Sequence, residues 1–432
     1  MKRVLIITYY WPPSGGAGVQ RWAKFVKYLP HLGWEPVVLT VDPEYATYPQ
    51  LDESLLQDIP PGIRVFRTRA FGVYSLYKKV SSNKEVPYGG FANTTKLNLK
   101  EKILRFIRGN IFLPDPRRGW NPYALKEARR IIRKMGITHV ITTSPPHSTQ
   151  LIGLKLKKEF PLKWIADLRD PWTDIYYYKD LYPTSLATCF NKRWEKQVLQ
   201  SADLIFTVSD SLKELFGTKT GIDAGKINII HNGYDPDDFT NIPGETNATR
   251  FIISYVGTIS HRYNISGFIK AWQSLPDNIR NSILLRFIGR VPAEVREILQ
   301  SAIPDHQLEI MGYLPHHEAI THMQTSSVLL LVIPEAENNR GIVTGKLFEY
   351  IAVRKPVLLL GPADGDAAQI IRQTERGFVC EPSDETNISR ALEELFDDAL
   401  REVSHYSGNS LAGSFSRKAL AEKVSEALNG LR

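Results

Sequence analysis

A chain of 432 residues is too long for one ordinary hydrophobic core, so two domains are the first expectation. Its content, 43% hydrophobic and 23% charged, is that of a globular protein, and no stretch approaches the roughly 20 apolar residues of a membrane span. The net charge of +8 implies an anionic partner, but the surplus is small and no nucleic-acid-binding module is present, which argues against nucleic acid.

The first segment, MKRVLIITYYWPP, has too short an apolar run for a signal peptide and reads as a β-strand. Cys189 and Cys380 are far apart and match neither a disulfide framework nor a zinc site. Together these features predict a cytoplasmic protein. After the strand, "YYWPPSGGAGVQRWAKF" places Gly15, Gly16 and Gly18 where a strand turns into a helix spanning Val19 to Leu32. Such a turn lets backbone N–H groups approach a phosphate or sugar, although many Gly-rich turns are purely structural.

Strands are predicted at 4–8, 37–41, 65–68, 139–143, 164–168, 204–208 and 227–230, separated by amphipathic stretches. Within this half, residues 72–118 carry ten Lys or Arg and only three acids. Residues 97–112 have helical periodicity, with Leu99, Ile103, Phe106 and Ile107 on one face and Lys102, Arg105 and Arg108 on the other. Either the helix packs on its domain with a solvated basic face, or the segment 72–118 associates peripherally with an anionic membrane surface.

Two loops after strands carry polar chemistry. "SPPHSTQ" puts His147 at the start of a helix, as an ordinary loop residue or a substrate contact. "DLRDPWTDIYYYKD" brings together Arg169, Asp170 and Trp172, either as a braced loop or as a surface that hydrogen-bonds and stacks on a sugar.

The second half repeats the alternation, with strands at 251–257, 283–289, 308–312, 328–333, 356–361 and 377–380. The fold class is therefore α/β: two doubly wound, Rossmann-like domains with ligands expected in a cleft beyond the carboxyl ends of their strands. The expected boundaries are 1–235, a linker at 236–250, 251–409, and a C-terminal helix at 410–432 packing back on the first domain. In "YVGTISHRYNISGF" Arg262 follows a strand, and "GIVTGKLFEY" supplies Gly345, a helix start, Lys346 and Glu349. Lys346 and Glu349, three apart, form either a surface ion pair or a nucleotide site, with the cations on a diphosphate and the carboxylate on ribose hydroxyls. "DGD" (364–366) can hold a metal beside a diphosphate, but it also opens a helix where Asp is favoured. The helix reading is preferred, and neither metal nor cofactor is expected.

In this order, "PPSGGAG", "SPPH", "LRDPW", "INIIHNGYDPDDF", "VGTI" with Arg262, "MGYLPHHE" and "GKLFEYIAVRKPVLLL" resemble retaining glycosyltransferases of family 4 with the GT-B fold. The "SPP…RDPW" pair is similar to enzymes of bacterial surface-polysaccharide synthesis. The resemblance implies transfer of a sugar from a nucleotide diphosphate donor to a hydroxyl, on a saccharide or lipid-linked acceptor, with retention of configuration and no metal. It assigns Glu349 to the ribose, Arg262 and Lys346 to the phosphates, Gly15, Gly16 and Gly345 to the donor loops, and His147 to the transferred sugar. Arg169, Asp170 and Trp172 fall on the acceptor side. Two departures stand out: Gly341 occupies a family glutamate position, for which Glu335, Glu337 or Asn338 could substitute, and Tyr263 replaces a basic residue. The rival readings are a nucleotide-sugar epimerase or hydrolase on the same fold, and an inactive protein that binds sugar nucleotides or lipid.

Overall fold

The computed structural model describes residues 1–49, 51–71, 99–240, 250–401 and 410–431. Two compact units result: Met1–His231 with Arg417–Arg432, and Asn232–Ser416. The linker expected at 236–250 falls largely outside the described residues. Residues 236–240 belong to the second unit, as does the turn Ser410–Phe415, which was expected to be part of the C-terminal helix.

The first unit is built on the parallel sheet β3-β2-β1-β4-β5-β6-β7. Its strands are β1 (Lys2–Ile7), β2 (Trp34–Val41), β3 (Arg64–Thr68), β4 (His139–Ser144), β5 (Lys163–Leu168), β6 (Leu204–Thr207) and β7 (Ile227–Ile229). The second unit carries the order β10-β9-β8-β11-β12-β13. Here the strands are β8 (Phe251–Val256), β9 (Ile283–Ile288), β10 (Leu308–Met311), β11 (Val328–Val332), β12 (Val357–Leu360) and β13 (Gly377–Cys380). The parallel arrangement explains the uninterrupted apolar runs, because both faces of each sheet are covered. Leu5 and Ile7 point into one core, while Val4 and Ile6 point into the core on the opposite face.

Eight helices position the chemistry. They are α1 (Ala17–Tyr28), α2 (Leu99–Asn110), α3 (Ser148–Glu159), α4 (Ser185–Ser201), α5 (His316–Gln324), α6 (Gly345–Ala352), α7 (Asp366–Thr374) and α8 (Arg417–Gly430). Helix α8 returns to the first unit, where Leu420, Val424 and Leu428 share a core with Trp22 and Ile6. In each sheet the strand order reverses beside the first strand of the unit, between β1 and β4 and between β8 and β11. Loops leaving these strands splay apart and open a crevice, which is where α/β sheets bind ligands.

Helix α2 forms where the periodicity predicts it, but rotated from the expected orientation, with Lys102 still exposed. Arg105, assigned to the solvated basic face, is buried, and burial lowers its pKa. Of the apolar stripe, Leu99, Ile103 and Phe106 are exposed, while Ile107 is half-buried. The helix is held by its small and polar residues: Gly109 packs against Leu181, and Asn110 bonds Tyr182 O and Thr184 N. Helix α2 therefore packs on its domain, but not with a wholly solvated basic face, because Arg105 is buried. Residues 72–98 of the basic segment lie outside the described residues.

Candidate active site

In the first unit, three loops are tied together by arginines. Gly16 precedes α1 with φ 101. Arg169 donates Nη1 to Gly18 O at 2.9 Å and Nε to Ser144 O at 2.9 Å. Its guanidinium thus braces the first turn of α1 against the ends of β4 and β5 from a buried position, so its hydrogen bonds go to main chain.

A second latch lies beneath it. Arg21 and Asp167, both fully buried, pair at 2.9 Å, and Asp167 also accepts from Trp22 Nε1 and Thr143 Oγ1, each at 2.7 Å. Arg21 Nη1 reaches Ile230 O and His231 O at 2.8 and 2.7 Å, fixing the end of β7 as well. The sequence reading missed this pair. Its signal was an Asp inside the apolar run "WIADL" and an Arg beside Trp22 on the buried side of α1.

His147 sits at the N-cap of α3 and stacks on Trp172, with ring centroids 5.0 Å apart and planes 11° apart. Its Nδ1 is buried with no hydrogen-bond partner among the described residues. Burial, helped by the Arg169 charge, lowers the imidazole pKa to about 3, so the ring is neutral. Asp115 holds the same helix end, accepting from Ser148 N at 2.7 Å and from Arg117 N at 2.9 Å. Trp172 departs from expectation. It is buried, its Nε1 donates to Asn191 Oδ1 at 3.0 Å, and its ring supports His147, which leaves no open face for a sugar. Asp170 lies beside it, and burial raises its carboxyl pKa.

The second unit gathers its charges around α6. Gly257 ends β8 with φ +120, and a Cβ there would stand 3.0 Å from Lys346 Cε and Nζ. Only glycine accepts both that backbone and that approach. Lys346 donates to Tyr255 Oη at 2.7 Å, its ammonium lying 4.2 Å from the centroid of the same ring and 5.8 Å from that of Tyr263. Burial lowers its pKa to about 7, with the Glu349 carboxylate acting in the opposite direction. Glu349, one turn on, meets His316 Nε2 at 3.0 Å through Oε1. Lys346 and Glu349 are therefore not a surface ion pair, since Lys346 turns into tyrosines and Glu349 meets the start of α5. Tyr255 and His316 were not anticipated.

Arg262 lies in the loop after β8, and its carbonyl accepts from Glu335 N at 2.8 Å. Asn264 Nδ2 donates to Glu335 Oε1 at 2.7 Å, which ties the loops after β8 and β11 together. Gly345 is the first residue of α6, and Gly341 is buried in a short turn, Asn339–Gly341. Asp364 pairs with Arg340 at 2.5 Å, and Asp366 lies in the first turn of α7, where a carboxylate favours the helix dipole.

Residues 89–238 match the family model described as Glycosyltransferase Family 4, and residues 238–412 match that described as Glycosyl transferases group 1. No curated protein matches the chain in sequence. Among solved structures, sucrose-phosphate synthase from Thermosynechococcus elongatus is similar, with 17% identity, TM-score 0.65, and coverage of 100% of this chain and 99% of that one. Anabaena Alr3699/HepE in complex with UDP-glucose gives 13% identity and TM-score 0.65 over 100% of both chains. A glycosyltransferase from Rickettsia africae ESF-5 gives 15% and 0.64, over 100% and 98%. With two adjoining family models over two parallel α/β sheets, the chain belongs to the glycosyltransferases of the GT-B fold.

Proposed function

We propose that the protein transfers a sugar from a nucleotide diphosphate donor to a hydroxyl of a saccharide or lipid-linked saccharide, retaining the anomeric configuration, at the cytoplasmic face of a membrane. The carrying observation is Lys346, an amine at the start of α6 packed over Gly257 at the end of β8, which a bound diphosphate would hold as the ammonium. Arg262 and the first N–H groups of α6 add positive charge in the same unit, and Glu349 supplies the acceptor for ribose hydroxyls. HepE, which shares the fold, was crystallised with UDP-glucose, which supports a UDP-sugar as donor.

In this reading Lys346 and Arg262 stabilise charge that grows on the diphosphate as the sugar leaves, so their contribution is larger in the transition state than in the ground state. The departing phosphate oxygen takes the proton of the acceptor hydroxyl. On the acceptor side, neutral His147 offers a hydrogen bond without a charge to desolvate. Asp170 and Arg169 frame the loop beside it, Trp172 acting as support only.

The test is turnover with a panel of UDP- and GDP-sugars and mixed saccharide acceptors, with the product anomer read by NMR and excess EDTA included. Transfer with retention that survives chelation is expected. Donor consumption without acceptor would favour an epimerase or hydrolase, and donor binding without any turnover would favour an inactive binding protein.

A further inference from the structure

We infer that the first unit docks on an anionic lipid bilayer through one face formed jointly by α2 and α4. The reading rests on what these helices expose and what they bury. On α2 the stripe Leu99, Ile103 and Phe106 is 74%, 51% and 45% exposed. On α4, Leu186 and Phe190, also one turn apart, are 68% and 42% exposed. Scattered exposed leucines are ordinary, but two adjoining helices that each present apolar residues at helical spacing are the arrangement that marks an interaction surface.

The two helices are joined end to end. Asn110, the last residue of α2, accepts from Thr184 N, the N-cap of α4, at 2.7 Å and donates to Tyr182 O at 3.0 Å. Phe106 therefore lies one turn before the junction, and Leu186 two residues after it.

Charge complementarity selects the partner. Beside the apolar ridge of α4 run the exposed Lys192, Arg193 and Lys196, lining an open depression of about 680 Å³ with Ser185 and Thr188. The single acid of α4, Glu195, is turned inward and neutralised by Lys219 at 2.6 Å. On α2, Lys100 and Lys102 are exposed. Apolar side chains flanked by cations, with the acid of α4 buried, match an interface of acyl chains beneath anionic head groups. A protein partner would be offered the same apolar ridge, but nothing in that pattern would require its surface to be uniformly anionic.

The inference extends the proposed function without depending on it, because docking is read without donor or acceptor. The full-length protein is sedimented with phosphatidylcholine vesicles and with vesicles containing about a third phosphatidylglycerol. Wild type should pellet with the anionic vesicles, weakly with the neutral ones, and less as salt rises. Ile103→Glu with Phe106→Glu should reduce partitioning at least tenfold. Reversal of Lys192, Arg193 and Lys196 to Glu should reduce it roughly a hundredfold, since each cation near such a leaflet is worth about a fivefold change. Melting temperatures within a degree or so of wild type would show these exposed positions do not alter folding. Leu99→Trp provides a readout within a folded protein, with its emission shifting to the blue on anionic vesicles relative to wild type. The inference is overturned if both reversal variants pellet as wild type does, or if neutral and anionic vesicles bind equally. It is equally overturned if Leu99→Trp emission is unmoved, or if wild type is a dimer that Phe106→Glu dissociates.

Discussion

Lys346 rests its ammonium on Tyr255, 4.2 Å from the ring centroid and 2.7 Å from the hydroxyl. The aromatic contact holds the charge, but burial opposes it and lowers the pKa to about 7. Above that pH the free protein therefore carries this lysine mostly neutral. Binding of a diphosphate favours the ammonium, so UDP binding should take up close to one proton. Calorimetry in two buffers of different ionisation heat measures that number, and Lys346→Met should abolish it. Uptake equal in wild type and variant would remove Lys346 from the phosphate site.

The same group makes a stability prediction. Its folded pKa lies below the ordinary lysine value, so between about pH 7 and pH 10 the unfolded chain binds more protons. The lysine's contribution is largest above the unfolded value and is lost as pH falls toward about 7. Across that interval the melting temperature of wild type should rise relative to Lys346→Met.

Glu349 should matter for affinity and Arg262 for rate. Glu349→Ala should weaken UDP binding by about 1.5–3 kcal/mol, the worth of a hydrogen bond to a charged group. His316→Ala should give a smaller loss, because it frees Glu349 Oε1 from a 3.0 Å contact without removing the carboxylate. Arg262→Ala should lower kcat more than it raises KM. Titration and steady-state kinetics on the three variants separate these roles.

Breaking the buried pair in the first unit should be expensive. Arg21→Met leaves the Asp167 carboxylate unneutralised in a fully buried site and should cost about 3–5 kcal/mol in urea unfolding. Arg21→Met with Asp167→Leu should recover much of that loss, since the stranded charge is then gone. A double variant no more stable than Arg21→Met would show that the hydrogen bonds to Ile230, His231, Trp22 and Thr143 matter more than the charge.

His147 predicts acid sensitivity. With a folded pKa of about 3 against an ordinary value of 6.5, the neutral ring contributes stability that is complete above 6.5. That contribution is lost as pH falls toward about 3. His147→Gln should flatten this part of the profile of stability against pH, and an unchanged slope would place the imidazole in a solvated setting.

Much of the fold was determined by sequence alone. A parallel sheet covered on both faces needs apolar residues at consecutive positions, so "VLII" and "VLLLV" mark strands without reference to neighbours. Regular strand–helix alternation marks the sheets as parallel, but the order of the strands, and hence the crevices beside β1 and β8, is decided by the tertiary structure. Partnership was left to the tertiary structure. Spacing places Lys346 and Glu349 on one side of α6, but only packing decides that one meets Tyr255 and the other His316. Trp172 has the composition of a sugar platform, yet Asn191 and His147 occupy it. Helix α2 is the clearest case. Its periodicity defines an apolar and a basic face, but a helical pattern carries no information about which face meets the body of the protein. Gly109 against Leu181 and the bonds of Asn110 hold the helix in place, and they turn Arg105 inward and Phe106 out.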